Sequence, residues 1–156
     1  MPDSPPAARA FDQLGIPYRL FTHPRPPESF EEAARQRGQS PGQIVRSIIF
    51  RRAAGEFVMV LVAGPGQVSW KRIRTHLGIA RISMASEAEV LAFTGFIRGA
   101  VTPLGLPHPM RILADKSVFV HDEISIGSGV RGVAILLKSA DLRMALDEIE
   151  IGEFAV

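Results

Sequence analysis

The sequence predicts an α+β fold in which helices flank a single mixed sheet whose strands are mainly antiparallel. Two apolar, β-branched runs, residues 44–50 and 57–63, lie on either side of Ala54 and Gly55 and predict an antiparallel hairpin. The other strand-like and helix-like segments lack the strict β-α-β order that a parallel sheet requires. A length of 156 residues suits one domain, and no internal repeat or low-complexity linker divides the chain. We therefore treat residues 1–156 as a single domain.

Helices are predicted where a serine can act as N-cap, because its hydroxyl accepts a hydrogen bond from a free backbone N–H. The expected N-caps are Ser4, Ser29, Ser69, Ser86 and Ser139. Ser29 and Glu32 also have the spacing of a capping box. Glycine, which tolerates the left-handed conformation at a helix end, follows the first three predicted helices as Gly15, Gly38 and Gly78.

Short apolar runs predict the remaining strands, which cover residues 18–22, 80–84, 112–120, 123–126 and 133–137. Residues 94–109 are rich in glycine and proline and show no periodicity, so they predict a long loop. A long loop inside a compact domain is usually functional or mobile. This loop is therefore a candidate part of a site.

The composition excludes several classes of function. The chain has no cysteine, so it forms neither disulfides nor zinc-thiolate clusters and has no thiol nucleophile. Its longest apolar run, residues 57–63, is much shorter than the roughly 20 residues that span a bilayer. The first six residues show neither the cationic nor the apolar region of a signal peptide, so we expect a cytoplasmic protein.

Positive charge is concentrated in the first half of the chain. Residues 1–81 contain 12 Lys or Arg and 6 Asp or Glu, whereas residues 82–156 contain 6 and 10, and the net charge is +2. A basic half attracts anionic partners, although a solvated surface rich in arginine gives the same count. The charge alone favours the solvated surface.

Residues 127–132 match the GxGxxG pattern of dinucleotide-binding sites. That pattern requires a helix immediately afterwards, whereas residues 133–137 predict a buried strand. A glycine-rich turn between strands, either structural or lining a site with its N–H groups, is the favoured interpretation. The histidines show no spacing typical of metal ligands, and they are His23, His76, His108 and His121.

The helix predicted over residues 69–77 is amphipathic. At 100° per residue, Trp70, Ile73 and Leu77 fall on one face and predict the buried side. The opposite face carries basic or titratable side chains, which are Lys71, Arg72, Arg74 and His76. An ordinary solvated face explains this pattern, and so does a face that contacts nucleic-acid phosphates.

Arg46 is unusual for its position in a predicted strand. Strand alternation places it on the same face as Ile44, Ile48 and Phe50. A cation among apolar neighbours must extend to solvent, pair with an acceptor or face a cavity. Arg46 is therefore either a strand-end residue that reaches solvent or part of a site.

Several segments, taken in order over residues 8–146, resemble the YbaK/ProX family of aminoacyl-tRNA deacylases, which is related to the editing domain of prolyl-tRNA synthetase. The loop over residues 94–105 resembles the family's TGYxxGGxSPxG stretch. Other matching segments are residues 14–18, 31–34 and 44–49, with Asp115 and the glycine turn 127–132 where the family has an acid and a glycine turn. Four positions depart from the family pattern: Arg46 replaces its lysine, Ala100 a glycine, Thr102 a serine and Gly127 a frequent serine.

The resemblance implies an α+β fold around a curved sheet, with a pocket for an amino acid esterified to the 3′ end of tRNA. It implies hydrolysis in trans by water, with no cofactor, metal or side-chain nucleophile. Catalytic roles fall to Arg46, Gly99 and Ala100, the last two through backbone N–H groups that stabilise an oxyanion. The substrate-binding positions are His23, whose imidazole is suited to proton transfer, and Ser47, Thr102, Pro103, Asp115, Gly127, Ser128 and Gly129. The tRNA-binding positions are Lys71, Arg72 and Arg74.

Two functions from different classes follow from the resemblance. The first is a hydrolase acting on tRNA that carries a small wrong amino acid, most simply tRNA-Pro, with prolyl-tRNA synthetase as a further partner. The second is a binding module that keeps the tRNA or synthetase contacts without hydrolysis, as the changes at Arg46 and Ala100 allow. A nucleotide-dependent oxidoreductase is disfavoured because no helix follows the glycine motif.

Overall fold

The computed structural model describes residues 4–156, so part of the segment on which the signal-peptide expectation depends lies outside the described residues. Five α-helices are present within this range: α1 Pro6–Leu14, α2 Phe30–Arg37, α3 Trp70–Leu77, α4 Glu87–Thr94 and α5 Ser139–Ala145. The strands are β1 Arg19–Thr22, β2 Val45–Ala53, β3 Glu56–Ala63, β4 Ser83–Met84, β5 Arg111–Asp115, β6 Glu123–Gly127, β7 Val133–Lys138 and β8 Glu150–Gly152. Two short 3-10 helices cover Pro41–Gln43 and Lys116–Phe119.

The strands form two sheets. One sheet is antiparallel with the order β1-β7-β6, and the other has the order β4-β2-β3-β5-β8, with β5 parallel to both β3 and β8. One isolated parallel bridge, between Ile44 and Ser125, joins them. The α+β class is confirmed, as is the β2–β3 hairpin, but the expected single sheet is divided in two. A sequence pattern identifies individual strands but not which strand edges pair, so the division into two sheets was not visible in the sequence.

Three of the five predicted N-caps are confirmed. The hydroxyls of Ser29, Ser69 and Ser86 accept hydrogen bonds from backbone N–H groups three residues later, at 3.0, 3.2 and 3.1 Å. The first helix instead has Pro5 at its N-cap, without a side-chain hydrogen bond. The last helix begins at Ser139 itself, with Lys138 at the N-cap, and the Ser139 hydroxyl donates to the His121 carbonyl at 2.7 Å.

The strand predicted over residues 112–120 ends early, at Asp115. Its carboxylate accepts a hydrogen bond from the Ser117 N–H at 3.0 Å and so starts a 3-10 helix in place of further strand. β8 was not predicted, because its three residues contain no apolar run. It adds a parallel edge strand beside β5.

The five-stranded sheet is buried on both faces. Ile49 and Leu61 belong to a larger core that is shared with the three-stranded sheet. On the opposite face, Phe50 and Val60 belong to a smaller core that Ile73 of α3 covers. The three-stranded sheet and α3 therefore lie on opposite sides of the five-stranded sheet.

Trp70 corrects one detail of the predicted amphipathic helix. Ile73 and Leu77 are buried as expected, but Trp70 is 38% exposed. Its ring meets Phe50 edge-on, with centroids 5.3 Å apart. As the first residue of α3, it reaches only the margin of the smaller core.

Asp115 ties the C-terminal segment to the sheet. One carboxylate oxygen accepts from the N–H groups of Phe154 and Ala155 at 2.7 and 3.0 Å, and the other accepts from Ser117. Burial alone raises the pKa of Asp115, but these hydrogen bonds to the ionised form outweigh it and hold the pKa below the usual value. The ionised carboxylate therefore stabilises the folded state.

We expect Asp115→Asn to lower the free energy of unfolding at pH 7 by about 2–4 kcal/mol, because an amide cannot accept from all three donors. A lowered folded-state pKa contributes stability above the unfolded-state pKa of about 3.9, and this is lost as the pH falls through the folded-state pKa. The difference between variant and parent, measured by urea unfolding, should therefore shrink below about pH 4. Exposed Asp122→Asn is the control. Equal stabilities of Asp115→Asn and parent at pH 7 contradict this role.

Candidate active site

A cavity of about 450 Å³ is lined by residues of both sheets and by α2 and α4. The first half of β2 forms one wall, through residues 45–49. The loop after α4 contributes Arg98, Gly99 and Val101, and the three-stranded sheet contributes Ile126 and Gly127. The long loop predicted from the sequence thus reaches this cavity.

The charge of this cavity is one-sided. Its ionised lining residues are three arginines, Arg37, Arg46 and Arg98, and no Asp or Glu lines it within residues 4–156. His23, a titratable residue, also lines the cavity. A wall of this kind favours a ligand that carries negative charge or develops it during a reaction.

Arg46 pairs with backbone carbonyls at the edge of the cavity. Its Nε donates to the Gly64 carbonyl at 2.9 Å, and a terminal nitrogen donates to the Gly66 carbonyl. Both acceptors lie in the turn that follows β3, the strand paired with β2. Partial burial lowers the pKa of Arg46, although a guanidinium remains protonated in proteins. Its other N–H groups have no acceptor in the described part of the chain.

Arg37 is a site residue that the sequence reasoning missed. It lies in the last turn of α2, where its Nε donates to His23 Nε2 at 3.1 Å and a terminal nitrogen donates to Ser125 Oγ at 2.9 Å. Burial lowers its pKa to about 10. Within residues 4–156 no carboxylate forms an ion pair with it. Arg37 lies four residues after Ala33 and three after Ala34, and residues with these spacings share a helix face. This spacing was the available sequence signal that Arg37 faces the interior.

The hydrogen bonds of His23 define its tautomer. Arginine cannot accept a hydrogen bond, so His23 Nε2 accepts from Arg37. The ring proton is then on Nδ1, which donates to Gln36 Oε1 at 2.7 Å. Both ring nitrogens are therefore engaged. This arrangement favours a role for His23 in orienting Arg37 over the expected proton transfer.

Ser47 lies in the cavity wall with a buried hydroxyl. It lines the wall formed by β2, and its Oγ is buried without a hydrogen-bond partner within residues 4–156. The expected substrate-binding role of Ser47 stays a prediction, because its Oγ is closed to solvent in this structure.

The loop after α4 turns sharply at Gly99. The Ala100 N–H donates to the Ile97 carbonyl at 3.0 Å, and Gly99 has a φ of 91°, as the third residue of a type II turn requires. The Ala100 N–H is thus engaged, and Ala100 does not line the cavity. Gly99 and Val101 do line it, and neither N–H has an acceptor in the described part of the chain. These two N–H groups are the candidate oxyanion donors.

Gly127 allows this loop to approach the three-stranded sheet. A Cβ atom at position 127 would lie 2.2 Å from the Val101 carbonyl oxygen, far inside van der Waals contact. Gly127 also lines the cavity. The serine that is frequent at this position of the family does not fit this backbone. Glycine at position 127 therefore goes together with the close approach of the loop.

Five other predicted substrate-binding positions lie outside the cavity lining and support it or the core: Thr102, Pro103, Asp115, Ser128 and Gly129. The Ser128 hydroxyl donates to the Val133 carbonyl at 2.7 Å and so closes the glycine turn. The Gly129 N–H donates to the Ala100 carbonyl at 2.9 Å and holds the loop against that turn. Thr102 is fully buried.

The predicted tRNA-binding cations belong to α3, on the other side of the five-stranded sheet from the larger core. Arg72 donates to the Ala155 carbonyl at 2.7 Å, and Lys71 lines the same surface depression near the C-terminal segment. Arg74 lines a different groove. The structure therefore separates Arg74 from the other two.

No three His, Asp or Glu side chains within residues 4–156 are grouped so that they could hold a metal ion. No helix in this part of the chain is long and apolar enough to cross a membrane.

Comparison with known proteins gives concordant matches. The model of the aminoacyl-tRNA editing domain family matches residues 25–145. The multifunctional Ser/Thr-tRNA deacylase ProXp-y of Escherichia coli strain K12 is 30% identical over 142 residues, 88% of this chain and 84% of that protein. A proline–tRNA ligase of Trichlorobacter lovleyi is 31% identical over 101 residues, 65% of this chain and 18% of the ligase. The crystal structure of a candidate trans-editing enzyme for prolyl-tRNA synthetase has a TM-score of 0.87, 24% identity and 99% coverage of both chains.

Proposed function

The chain belongs to the aminoacyl-tRNA editing domain family, and from this premise we propose that it hydrolyses the ester bond of wrongly charged tRNA in trans. This family membership confirms the resemblance of the sequence to the YbaK/ProX proteins. The observation that carries the proposal is the cavity with three arginines and no carboxylate in its described lining. Its volume of about 450 Å³ is adequate for an amino acid with part of a terminal nucleotide.

The lining residues favour attack by water. Ser47 carries the hydroxyl among the described lining side chains, and no base is hydrogen-bonded to it, so it is not activated as a nucleophile. A water oxygen attacks the ester carbonyl carbon and the carbon–oxygen bond to the ribose breaks. The amino acid leaves as a carboxylic acid, and the ribose oxygen takes a proton. The substrate's neighbouring ribose hydroxyl is the group that the family resemblance offers to help the water.

Electrostatic stabilisation supplies the rest of the mechanism. Negative charge grows on the carbonyl oxygen as water adds, and the proposed donors to it are the N–H groups of Gly99 and Val101, which have no acceptor among the described residues. Arg46 adds a fixed positive charge, held by the Gly64 and Gly66 carbonyls. Arg46 positions substrate and does not act as a base, because guanidinium stays protonated.

The substrate we propose is tRNA-Pro carrying a small wrong amino acid. This rests on relatives that are proline–tRNA ligases and on the structural match to a candidate trans-editing enzyme for prolyl-tRNA synthetase. The synthetase is accordingly a second proposed partner, in the cytoplasm. The name of the Escherichia coli relative supports serine and threonine among the amino acids removed.

The alternative is a binding module without hydrolysis. Two observations favour it: arginine replaces the family's lysine at position 46, and the Ala100 N–H is already bonded to Ile97. Under this alternative the cavity still holds the charged 3′ end.

A deacylation panel tests the proposal. We expect the parent protein to release at least one of alanine, serine, threonine and cysteine from tRNA-Pro faster than spontaneous hydrolysis does. The release should persist with EDTA once magnesium for the tRNA is controlled separately. Binding of the charged tRNA without release of any amino acid supports the binding module. Activity that EDTA removes and zinc restores contradicts the mechanism.

A further inference from the structure

A second groove, of about 490 Å³, is lined by four arginines from three segments of the chain. Arg51 and Arg52 come from the end of β2, Arg74 from the last turn of α3, and Arg81 from the segment before β4. Its other lining residues are Ala80, Ile82 and Ser83. We refer to it as the arginine groove.

Few carboxylates offset the positive charge of the arginine groove. Arg51 pairs with Glu89 at 3.1 Å. Arg52, Arg74 and Arg81 have no carboxylate within ion-pair distance in the described part of the chain. Like charges gathered at one surface repel one another, and an anion bound between them removes that cost. Guanidinium groups also bind phosphate with two parallel hydrogen bonds.

The groove adjoins the catalytic cavity through β4. Arg51 pairs with Ser83, and Phe50 pairs with Met84, at the β2–β4 edge. Ser83 lines the groove, whereas Met84 and Ala85 line the cavity. Successive residues of a strand point to opposite faces, so the groove lies on the α3 side of the five-stranded sheet and the cavity on the other side, and the two meet at the edge strand β4. Arg98, bonded to the Ala85 carbonyl at 2.9 Å, adds a cation on the cavity side of this boundary.

We propose that the arginine groove binds the backbone phosphates of the acceptor arm of the same tRNA whose charged 3′ end enters the cavity. The inference rests on the proposed function, because the adjoining cavity identifies the polyanion. A nucleic-acid backbone supplies evenly spaced phosphates, which suits cations from three segments. Of the three cations of α3 expected to bind tRNA, only Arg74 belongs to this surface.

The test uses uncharged tRNA-Pro, so that it does not depend on hydrolysis. Dissociation constants are measured over a range of salt concentrations for the parent and three variants. The first variant is Arg52→Gln with Arg74→Gln and Arg81→Gln, and the second has lysine at the same positions. The third, Arg9→Gln with Lys138→Gln and Arg143→Gln, removes the same charge from residues outside both cavities. Circular dichroism and thermal unfolding check that each variant folds.

We expect the glutamine variant of the groove to bind tRNA at least about tenfold more weakly near 0.15 M salt, with a salt slope lower by about 3. The lysine variant should keep the slope of the parent, since it keeps the charge, and the control should stay close to the parent. Equal losses in the groove and control variants, no loss in either, or no tRNA binding by the parent overturn the inference. Failure of the parent to hydrolyse charged tRNA overturns the proposed function instead, whatever the groove variants do.

Discussion

Arg46→Ala is expected to abolish measurable hydrolysis of aminoacyl-tRNA, a loss on the order of 10²–10³-fold or more in the single-turnover rate constant. The substitution removes the fixed cation at the cavity edge that the Gly64 and Gly66 carbonyls hold. The free energy of unfolding should fall by only about 1 kcal/mol, because the apolar neighbours on β2 still pack. Rates are measured with the best substrate of the deacylation panel, and unfolding is measured in urea. Arg143→Ala, an exposed cation on α5, is the control.

Arg46→Lys separates charge from shape at the same position. The arginine fork binds two carbonyls of one turn, and a single ammonium cannot reproduce both bonds with the same geometry. We therefore expect a lowered rate, by about tenfold, rather than a return to the family's optimum. If Arg46→Ala hydrolyses every tested aminoacyl-tRNA as fast as the parent, Arg46 only holds the turn and its catalytic assignment is wrong.

Gly127→Ser is expected to destabilise the fold by about 3 kcal/mol and to reduce hydrolysis as well. The new Cβ atom meets the Val101 carbonyl oxygen at 2.2 Å, so the loop that carries Gly99 and Val101 must move. Urea unfolding gives the stability and single-turnover hydrolysis gives the rate. Gly66→Ala is the matched stability control, because a Cβ there meets nothing within 4 Å and its φ is not positive. If the Gly127→Ser variant is as stable and as active as the parent, the loop moves aside without loss of stability and this prediction is wrong.

Local signals in the sequence account for most of the secondary structure. The β2–β3 hairpin follows from two β-branched runs around Gly55, whose φ of 74° a glycine adopts without strain. Ser29, Ser69 and Ser86 cap helices because their hydroxyls need only a neighbour three residues away. Such interactions depend on nearby residues alone, so the sequence pattern was enough to find them.

Features that depend on distant residues were not predictable in this way. Arg37 has the sequence context of an ordinary last-turn cation, and only the fold brings it to His23 and Ser125. The arginine groove likewise joins three segments that are separate in the chain. The division into two sheets depends on which edges pair, and β8 is too short to leave a pattern.

The family resemblance identified the segments that line the cavity more accurately than the side chains that line it. Arg46, Ser47, Gly99, Gly127 and His23 line the cavity as expected. Their predicted partners in the 100–103 and 128–129 segments form the layer behind it, since backbone bonds such as Gly129 to Ala100 hold the lining loop in place. Motif positions indicate which segments meet, whereas the direction of each side chain depends on local turns.

In the proposed mechanism the cavity holds the aminoacyl ester with its carbonyl oxygen at the loop after α4. A crystal structure with a 3′-aminoacylamino-adenosine, an amide analogue that resists hydrolysis, tests this most directly. We expect the analogue in the cavity lined by Arg37, Arg46 and Arg98, with its carbonyl oxygen about 3 Å from the backbone nitrogen of Gly99 or Val101. An analogue bound at saturating concentration outside this cavity, or inside it with the carbonyl directed away from both N–H groups, shows that the proposed mechanism is wrong.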